Sequence, residues 1–407
     1  MTTESAHARP TNPAMVIWDW LRQNLFNTWY NSIISVLIVA LLFQLLSTFL
    51  GWLLTTQGWV AVLKNLRLLF VGRYPADQVW RIELVVAMIA LLVGLSGGVW
   101  KGIVRNLATG FGLILSVLGL LAFTFPNDGL NPFITPPIFL LGSAALVALG
   151  VWGGSRLAEA ARIPLLISWV LLYPIAILII RGGVGLPIVE TNLWGGLLLT
   201  MILSSSGIIL SFPLGVLLAL GRRSNLPIIK GFCVAYIELI RGVPLVTVLF
   251  MAQLMLPLFL PDQVRIDSVL RAMVAVTLFS AAYLAENVRG GLQSLPRGQT
   301  EAARALGLNP VQTTLLITLP QALRAVIPVL VGQFISLFKD TSLVVIVGLI
   351  DLLGIARTIY SQAEWKDFTG GVWRETLLVV ALIYWIFSFT MSRTSKKIEE
   401  KMSVGYR

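Results

Sequence analysis

The sequence is short of cysteine, histidine and charged residues, and each shortage excludes a class of function. Its one cysteine, Cys233, cannot form an internal disulfide, and we expect it to be a small buried apolar residue. Its one histidine, His7, leaves no set of cysteine and histidine ligands for a zinc site. No glycine is followed directly by lysine, so the phosphate-binding loop of P-loop nucleotide hydrolases is absent. The sequence therefore predicts no metal and no cofactor in this chain, and it does not predict an ATP-hydrolysing enzyme.

Apolar residues dominate the composition instead. They make up 57% of the 407 residues against 12% charged, and the mean hydropathy is +0.86. Many apolar runs of near-spanning length are typical of a polytopic membrane protein and not of a soluble domain. We therefore predict an all-α fold of about ten transmembrane helices in contact with membrane lipid, preceded by a tryptophan-rich interfacial helix at 15–30. The predicted spans are 31–54, 82–99, 107–125, 137–152, 164–180, 193–220, 236–260, 268–290, 326–350 and 375–392.

The net charge of +11 sits mainly in short loops between the apolar runs. Basic loop residues mark the cytoplasmic side, and with ten spans they place both termini and the loop at about 294–325 in the cytoplasm. This orientation explains the charge without a nucleic-acid partner. The opposite loops agree, since 126–136 contains no lysine or arginine and 181–192 contains one arginine. Segment 55–81, with four basic residues, is the exception: either it is amphipathic and interfacial, or one N-terminal span is miscounted.

The loop at about 294–325 carries the strongest local signals for its own structure. Pro296 suits the first turn of a helix, and Gly307 can take the left-handed conformation that ends it. Asn309 can then cap a second helix that has Pro310 at its first position. These signals predict a compact knob of two short helices outside the bilayer, a shape suited to docking a partner.

The same loop contains Glu301-Ala302-Ala303, with Gly307 four residues later and Leu319-Pro320 beyond. This spacing resembles the EAA loop of bacterial ABC importer permeases. Further matches follow in order between 193 and 395, and together they resemble the polar amino-acid permease family. They are Glu238 to Leu245, Tyr283 to Glu286, Arg289-Gly290, Gln321 to Arg324, Gln333-Phe334 and Lys339 to Val344. The N-terminal half is similar to longer members, the general L-amino-acid permease subunits, at Asn24 to Trp29 and Asn65 to Pro75.

The resemblance implies a domain organisation and a set of partners. It implies a type I ABC importer transmembrane fold in the C-terminal half of a non-enzymatic, multi-pass subunit of the bacterial inner membrane that moves polar or general L-amino acids. Expected partners are a cytoplasmic ATPase dimer that uses ATP and Mg²⁺, a second and different permease chain, and a periplasmic amino-acid-binding protein. The implied regions are a cytoplasmic N-terminal segment (1–30), an extra region of about five spans (31–190), the permease domain (191–395) and a basic cytoplasmic tail (396–407).

The resemblance also implies that the EAA loop docks on the ATPase. Glu301 is an acid near a helix N-terminus, where the helix dipole favours it, and in the family the matching Glu and Ala face a groove on the ATPase. Gly307 would make the sharp turn between the two helices. Arg304 has the i+3 spacing for an ion pair with Glu301. The predicted docking set is Glu301, Ala302, Ala303, Arg304, Gly307, Leu319 and Pro320.

Charged residues inside predicted spans are the candidates for substrate contact. Lys339 and Asp340 lie about halfway along the span predicted at 326–350, with Ser336 one turn back from both. Since a free amino acid carries a carboxylate and an ammonium group, a lysine and an acid on a pathway could bind both ends. Glu286 is a further pathway candidate. The alternative is that Lys339 and Asp340 tie this span to its neighbours or to a subunit interface.

Two pairs of charged residues have the spacing of contacts within one helix. Glu238 with Arg241, and Glu286 with Arg289, are i,i+3 pairs near the predicted cytoplasmic ends of their spans. Local pairing or a tie between subunits is favoured over substrate binding for these residues. Four prolines are expected to kink or end helices: Pro213, Pro244, Pro257 and Pro328.

Two other functions compete with an ABC permease. A secondary amino-acid carrier driven by an ion gradient would need internal repeats and intramembrane acids within broken helices. The sequence shows no clear repeat, and such a carrier leaves the predicted knob unexplained. A membrane scaffold that does not transport would account for the hydrophobic N-terminal half, but not for the ordered motifs between 238 and 344.

Overall fold

All of the named secondary-structure elements in the residues that the structure describes are helices. The computed structural model describes residues 13–123, 136–157, 159–183, 185–261, 263–368 and 370–403, within which two isolated β-bridges are the only pairing of extended backbone. The predicted N-terminal tail up to residue 12, the loop at 124–135 and residues 404–407 lie outside this set. The helices are α1 Pro13–Asn24, α2 Trp29–Thr55, α3 Trp59–Lys64, α4 Leu66–Val71, α5 Trp80–Trp100, α6 Gly102–Ala122, α7 Pro136–Arg156, α8 Arg162–Arg181, α9 Gly196–Arg222, α10 Pro227–Arg241, α11 Leu245–Phe250, α12 Ser268–Ser294, α13 Arg297–Ala305, α14 Pro310–Gln312, α15 Leu319–Asp340, α16 Leu352–Tyr360 and α17 Trp373–Ser403.

Nine helical runs of the described chain are long and apolar enough to cross a membrane, and a bent pair adds a tenth if it counts as one span. This confirms an all-α polytopic membrane protein of about ten spans. The runs are Trp29–Thr55, Ala76–Trp100, Gly102–Ala122, Pro136–Arg156, Arg162–Arg181, Gly196–Arg222, Ser268–Ser294, Pro310–Val347 and Trp373–Glu400, with Pro227–Arg241 and Leu245–Phe259 as the bent pair.

Residues up to Trp59 form one compact unit, and residues from Val60 onward form a second. In the first unit, the interfacial helix predicted at 15–30 is shorter than expected. It ends at Asn24, and α2 begins at Trp29 because Thr28 caps it, accepting a hydrogen bond from the Asn31 amide at 3.3 Å. No residue of α2 is buried within the described chain, as expected for a helix whose surroundings are apolar.

In the second unit, α5 and α7 pack backbone against backbone through glycines. A Cβ added at Gly98 would lie 2.5 Å from the carbonyl oxygen of Val151, and one added at Gly150 would lie 2.7 Å from that of Leu91. Lipid tails give no hydrophobic drive to associate two spans, so close van der Waals contact at small residues is what holds such a pair together.

The two ends of the second unit can be named from its connections. The near end carries the turn between α9 and α10 and the helix α13. The far end carries residues 182–183 and 185–195, before α9 begins, and residues 348–368 and 370–372, after α15 has ended. At the far end the backbone of Gly72 pairs with Trp194, and that of Gly196 pairs with Asp351.

Segment 55–81, the exception to the charge pattern, contains only short helices between α2 and α5. α4 lies on the start of α9, where a Cβ added at Gly196 would meet the carbonyl oxygen of Leu69 at 2.3 Å. Lys64 binds Glu364 at 3.0 Å, and Arg81 is fully buried and donates to the carbonyl of Pro187 at 2.8 Å. Two of the four basic residues are thus bound to other parts of the chain. We call residues 60–72 the strap.

The span predicted at 236–260 is a bent pair of helices, which confirms the interruption expected at Pro244. α10 ends at Arg241, the chain turns by 105°, and the second arm runs from Leu245 to Phe259. Pro244 caps the second arm and has no N–H to continue the first, so the backbone must break there. A π-helical turn at Met251–Met255 interrupts the second arm again.

The helix over the span predicted at 326–350 begins much earlier than that span and ends at Val347. It starts at Pro310 and passes through a π-helical turn at Thr313–Thr318 into α15. After Asp340 it tightens to a 3₁₀ helix over Thr341–Val347, which ends at Gly348. A run of 38 residues measures about 57 Å at about 1.5 Å per residue, nearly twice the bilayer core of about 30 Å. The helix therefore reaches well beyond the membrane, and at its near end it meets α13.

Candidate functional site

Helix α13 and the turn after it have the geometry that the local signals predict. α13 ends at Ala305, and Gly307 has the left-handed φ of +80°. The amide of Gly307 donates to the carbonyl of Arg304 at 2.9 Å, and the amide of Leu308 donates to that of Ala303 at 3.1 Å. This pair of bonds is a Schellman motif, which closes the end of a helix and fixes the direction of the chain that follows.

The second half of the predicted knob differs from the expectation. Asn309 and Gln312 form a reciprocal capping box, with Gln312 N to Asn309 Oδ1 at 2.8 Å and Asn309 N to Gln312 Oε1 at 3.0 Å. The helix that starts at Pro310 is not short, because it continues into α15. Pro296 precedes α13 as its N-cap and does not lie in the first turn. The near end therefore carries one short helix folded against the end of a long one.

The predicted docking residues divide into an exposed set and a buried one. Glu301, Ala302, Arg304 and Pro320 are exposed, whereas Ala303 is buried against the π-helical turn that contains the buried Thr313. No ion pair joins Glu301 to Arg304 among the described residues, so the pairing expected from their spacing is wrong. Leu319 packs partly buried against a core cluster that includes Ala322.

Sequence reasoning missed the large apolar side chains on this surface. Leu306 is 82% exposed, and Val311, Leu315 and Leu316 are at least half exposed. Exposed apolar side chains grouped on one surface and bordered by polar residues are typical of protein–protein contact sites. Their signal in the sequence was present, since apolar residues recur on both sides of Gly307 in an otherwise polar loop. We call Glu301, Ala302, Leu306, Val311 and Leu316 the docking surface.

The predicted pathway residues Ser336 and Lys339 lie on an exposed face of α15, and Asp340 beside them is half-buried. The exposed face continues toward the near end through small residues at Gly332 and Ala325. Lys339 lies in the last turn of α15, directly before the 3₁₀ helix that continues the run to Val347. The 7 residues of 3₁₀ helix beyond it rise by about 2 Å each, which places Asp340 about 14 Å from the far end.

Glu286 lies in a set of ion pairs that joins three helices. Its carboxylate accepts from Arg289 Nε at 2.9 Å and binds Arg222 Nη1 at 3.3 Å and Arg241 Nη1 at 3.8 Å. Glu238 binds Arg222 at 2.9 Å, and no ion pair joins it to Arg241 in the described chain. The predicted Glu286–Arg289 pair is therefore present, but the Glu238–Arg241 pair is wrong because both residues bind other helices. We call these five residues the near-end charge cluster.

Asp351 is a buried acid that the sequence reasoning missed. It caps α16 by accepting from the Gly354 amide at 2.9 Å, and Tyr384 Oη of α17 donates to its other oxygen at 3.1 Å. Burial raises the pKa of this carboxyl, and its hydrogen bonds to backbone amides and to Tyr384 act in the opposite direction. An aspartate directly before Leu352-Leu353-Gly354 is an N-cap signal that could have found it.

The described residues include no group of three or more histidine, cysteine or acidic side chains placed to hold a metal ion. The arrangement therefore offers helix surfaces, a cluster of ion pairs and a charged face in a span.

Comparison with known proteins identifies the family. A family model described as the binding-protein-dependent transport system inner membrane component matches residues 211–404. The inner membrane amino-acid ABC transporter permease protein YhdY of Escherichia coli (strain K12) is 38% identical over 95% of this chain and 93% of its own length. The glutamate/glutamine/aspartate/asparagine transport system permease protein BztC of Rhodobacter capsulatus is 38% identical over 100% of this chain and 98% of its own.

A shorter relative matches about half of the chain. The probable glutamine ABC transporter permease protein GlnP of Bacillus subtilis (strain 168) is 35% identical over 52% of this chain and 94% of its own length. The family match covers the broken span, the docking surface and the pathway residues, and the full-length matches include the N-terminal spans as well. The chain therefore belongs to the family of amino-acid ABC transporter permeases, as its ordered motifs indicated.

Proposed function

We propose that this chain is a permease subunit of an ATP-driven importer that moves amino acids across the bacterial inner membrane. The observation that carries the proposal is the docking surface, which protrudes beyond the bilayer on a closed helical turn. A separate cytoplasmic ATPase dimer would bind there and supply the hydrolysis of ATP with Mg²⁺. The names of the full-length relatives support an amino acid as the substrate.

The contacts inside this region suit it to transmit force. Ala303 buries α13 against the near end of the long helix, and the Schellman turn leaves little freedom between them. Displacement of Glu301, Ala302 or Leu306 would therefore move the long helix. It would also move α12, which is connected to α13 by two residues. Glu301 is free of ion pairs within the described chain and is available to a basic group of the ATPase.

Lys339 supports a second chain at the exposed face of α15. A lysine near mid-membrane costs about 2.5–3.5 kcal/mol when it faces lipid, so a partner or water must cover it. A second permease chain, different from this one, would lie against that face and leave a polar pathway between the two. In that pathway Lys339 would bind the carboxylate of an amino acid and Asp340 its ammonium group, with Ser336 beside them. A periplasmic amino-acid-binding protein would deliver the substrate to the far end.

The orientation follows from the basic residues of the near end. The connections around Lys101, Arg156, Arg223 and Arg304 all lie at that end, and the positive-inside rule places them in the cytoplasm together with both termini. The ATPase and the docking surface are then on the same side of the membrane.

The test is purification of the complex with Gly307→Val. A β-branched residue at φ +80° is strained by about 1–2 kcal/mol although no atom blocks its Cβ, so the turn should change direction without a clash. Gly110→Val is the matched control, because Gly110 also has open space and its φ is not positive. We expect an ATPase to co-purify with the wild type and the control, and to be lost from Gly307→Val.

Transport in proteoliposomes separates the proposal from its main rival. An ABC importer loses uptake without ATP and keeps it when ion gradients are collapsed. An ion-coupled carrier shows the reverse dependence, and recovery of this chain without any ATPase would favour it.

A further inference from the structure

The near-end charge cluster connects α12, which leads to the docking surface, with α10, the first arm of the broken span. Glu286 is on α12, eight residues before Ser294, and α13 begins at Arg297. Arg241 is the last residue of α10, directly before the 105° turn, and Arg222 is the last residue of α9. One carboxylate thus joins the helix that leads to the docking surface with the ends of two others.

The cluster is partly removed from water and carries an excess of positive charge. Its arginines are between 22% and 33% exposed and Glu286 is 21% exposed, whereas Glu238 is 55% exposed and binds Arg222 alone. Three arginines face two glutamates, so Glu286 is the group that holds like charges together. Neutralising it would leave three guanidinium groups beside one another with a single acid at their edge.

The guanidinium group of Arg241 makes an ion pair and a cation–π contact in the described chain, and both are with residues of α12. It reaches Glu286 at 3.8 Å and lies over the ring of Tyr283 at 5.7 Å, one turn earlier on the same helix. Its Nε is buried without a hydrogen-bond partner. The break after it contains Gly242 and Pro244, so no continuous helix fixes the angle between the two arms there.

On the other side, α12 is bound to α15. Asn287 donates to Gln333 at 2.7 Å, and Gln333 in turn donates to the carbonyl of Ser280 at 2.9 Å. Residues 286 and 287 therefore connect α12 to opposite neighbours, and a displacement of α12 acts on both the bend and the long helix.

We propose that Glu286 is a positioning residue that couples movement of the docking surface to the angle of the broken span through Arg241 and Arg222. The inference rests on the proposed function in that the movement is driven by the ATPase. When α12 shifts, the C-terminal end of α10 at Arg241 moves with it. The second arm, which starts at Leu245, then changes its angle relative to α10 and its position relative to the pathway residues on α15. The role is transmission and not contact with the amino acid.

The test compares Glu286→Gln with Glu238→Gln in the full complex. Both variants remove one negative charge from the same cluster with the same change of shape, but only the first releases Arg241. For Glu286→Gln we expect the ATPase activity stimulated by the binding protein, and Vmax of uptake, to fall about fivefold or more while KM for the amino acid is unchanged. For Glu238→Gln we expect a change of less than about twofold, because its contact is exposed.

A distance measurement tests the coupling without the ATPase. Spin labels at Ile228→Cys on α10 and Gly298→Cys on α13, both exposed, would report the two helices, with the buried Cys233 replaced by alanine. We expect one narrow distance distribution in the labelled parent and in Glu238→Gln, and a broadened or shifted one in Glu286→Gln. Arg241→Gln should reproduce the effect and serves as the second variant if Glu286→Gln is not inserted.

The outcomes separate two kinds of failure. If no ATPase co-purifies with the wild-type chain, the proposed function is refuted. The spin-label distances would still decide whether Glu286 fixes α10 relative to α13. Equal behaviour of Glu286→Gln and Glu238→Gln in both assays refutes the inference and leaves the proposed function intact. A raised KM with unchanged Vmax would also refute it, since that result indicates substrate contact.

Discussion

The glycine contact between α5 and α7 predicts that two alanine substitutions three residues apart act in opposite directions. At Gly150 a Cβ would lie 2.7 Å from the carbonyl oxygen of Leu91 and 2.7 Å from the amide nitrogen of Leu95. At Gly153, on the same helix, the nearest atom is a flexible methyl of Leu95 at 3.9 Å. Gly150→Ala and Gly153→Ala therefore make the same chemical change at a closed and an open position.

The magnitude follows from the geometry. To reach an ordinary contact distance of about 3.5 Å, the helices at Gly150 must separate by about 0.8 Å, which forfeits a quarter to a half of each dispersion contact across that interface. Overpacking of this kind costs about 1–3 kcal/mol. Both substitutions gain about 0.8–1 kcal/mol of helix propensity, so the gain cancels in the comparison and the difference between them is about 1–3 kcal/mol.

The assay is thermal unfolding of the purified chain in a mild detergent at one fixed lipid content. We expect Gly153→Ala to be as stable as the wild type or slightly more so, and Gly150→Ala to unfold several degrees lower. The reasoning fails if Gly150→Ala is as stable as Gly153→Ala, because the two backbones would then not be in contact at Gly150.

Two further predictions concern the far end. Ala61 of the strap is buried in one apolar cluster with Trp365 and Val372, so Trp365→Ala should free the strap and expose it to protease, because loss of a buried tryptophan costs about 3–5 kcal/mol. Lys64→Ala should leave the strap protected, since the Lys64–Glu364 pair is more than half exposed and worth less than about 1 kcal/mol. Equal protease resistance of the two variants would contradict this. Asp351 has a folded-state pKa above its unfolded value of about 3.9, so its protonated form favours folding and the stability it contributes is lost as the pH rises from about 4 through the folded pKa. Asp351→Asn keeps the helix cap and should lose that part of the pH dependence in melting temperatures measured between pH 4 and 7, while an unchanged profile would show that Asp351 does not titrate in this range.

Local signals predicted what depends on a few neighbouring residues. Gly307, Asn309 and Pro310 fix a helix end and a helix start through their own backbone preferences, and the structure has both. The apolar runs likewise predicted the spans, because each must be long enough to cross the bilayer whatever it packs against. The membrane class and the family followed from these features and from the order of the motifs.

Contacts between distant segments could not be predicted in the same way. The spacing of Glu238 and Arg241 indicated a pair, but the arrangement of α9, α10 and α12 gives each a partner on another helix. The break at Gly242–Pro244 had a signal in its proline, yet the apolar run through it favoured one continuous span. Nothing in the sequence near Lys64 indicates Glu364, three hundred positions away, so the strap became visible only in the fold.

The strap also bears on where this protein can be divided. The family model matches residues 211–404 and GlnP about half of the chain, and the junction predicted near residue 190 stays a prediction. Leu69 and Gly72, however, lie directly on the backbone of Gly195 and Gly196, at the first residues beyond such a junction. In a chain shortened to residues 191–407, Trp194 and the start of α9 would lose the cover that the strap gives them. The two halves therefore share a packed contact at this junction. A shortened chain would need residues 60–81, either retained or supplied as a separate peptide, to cover that contact.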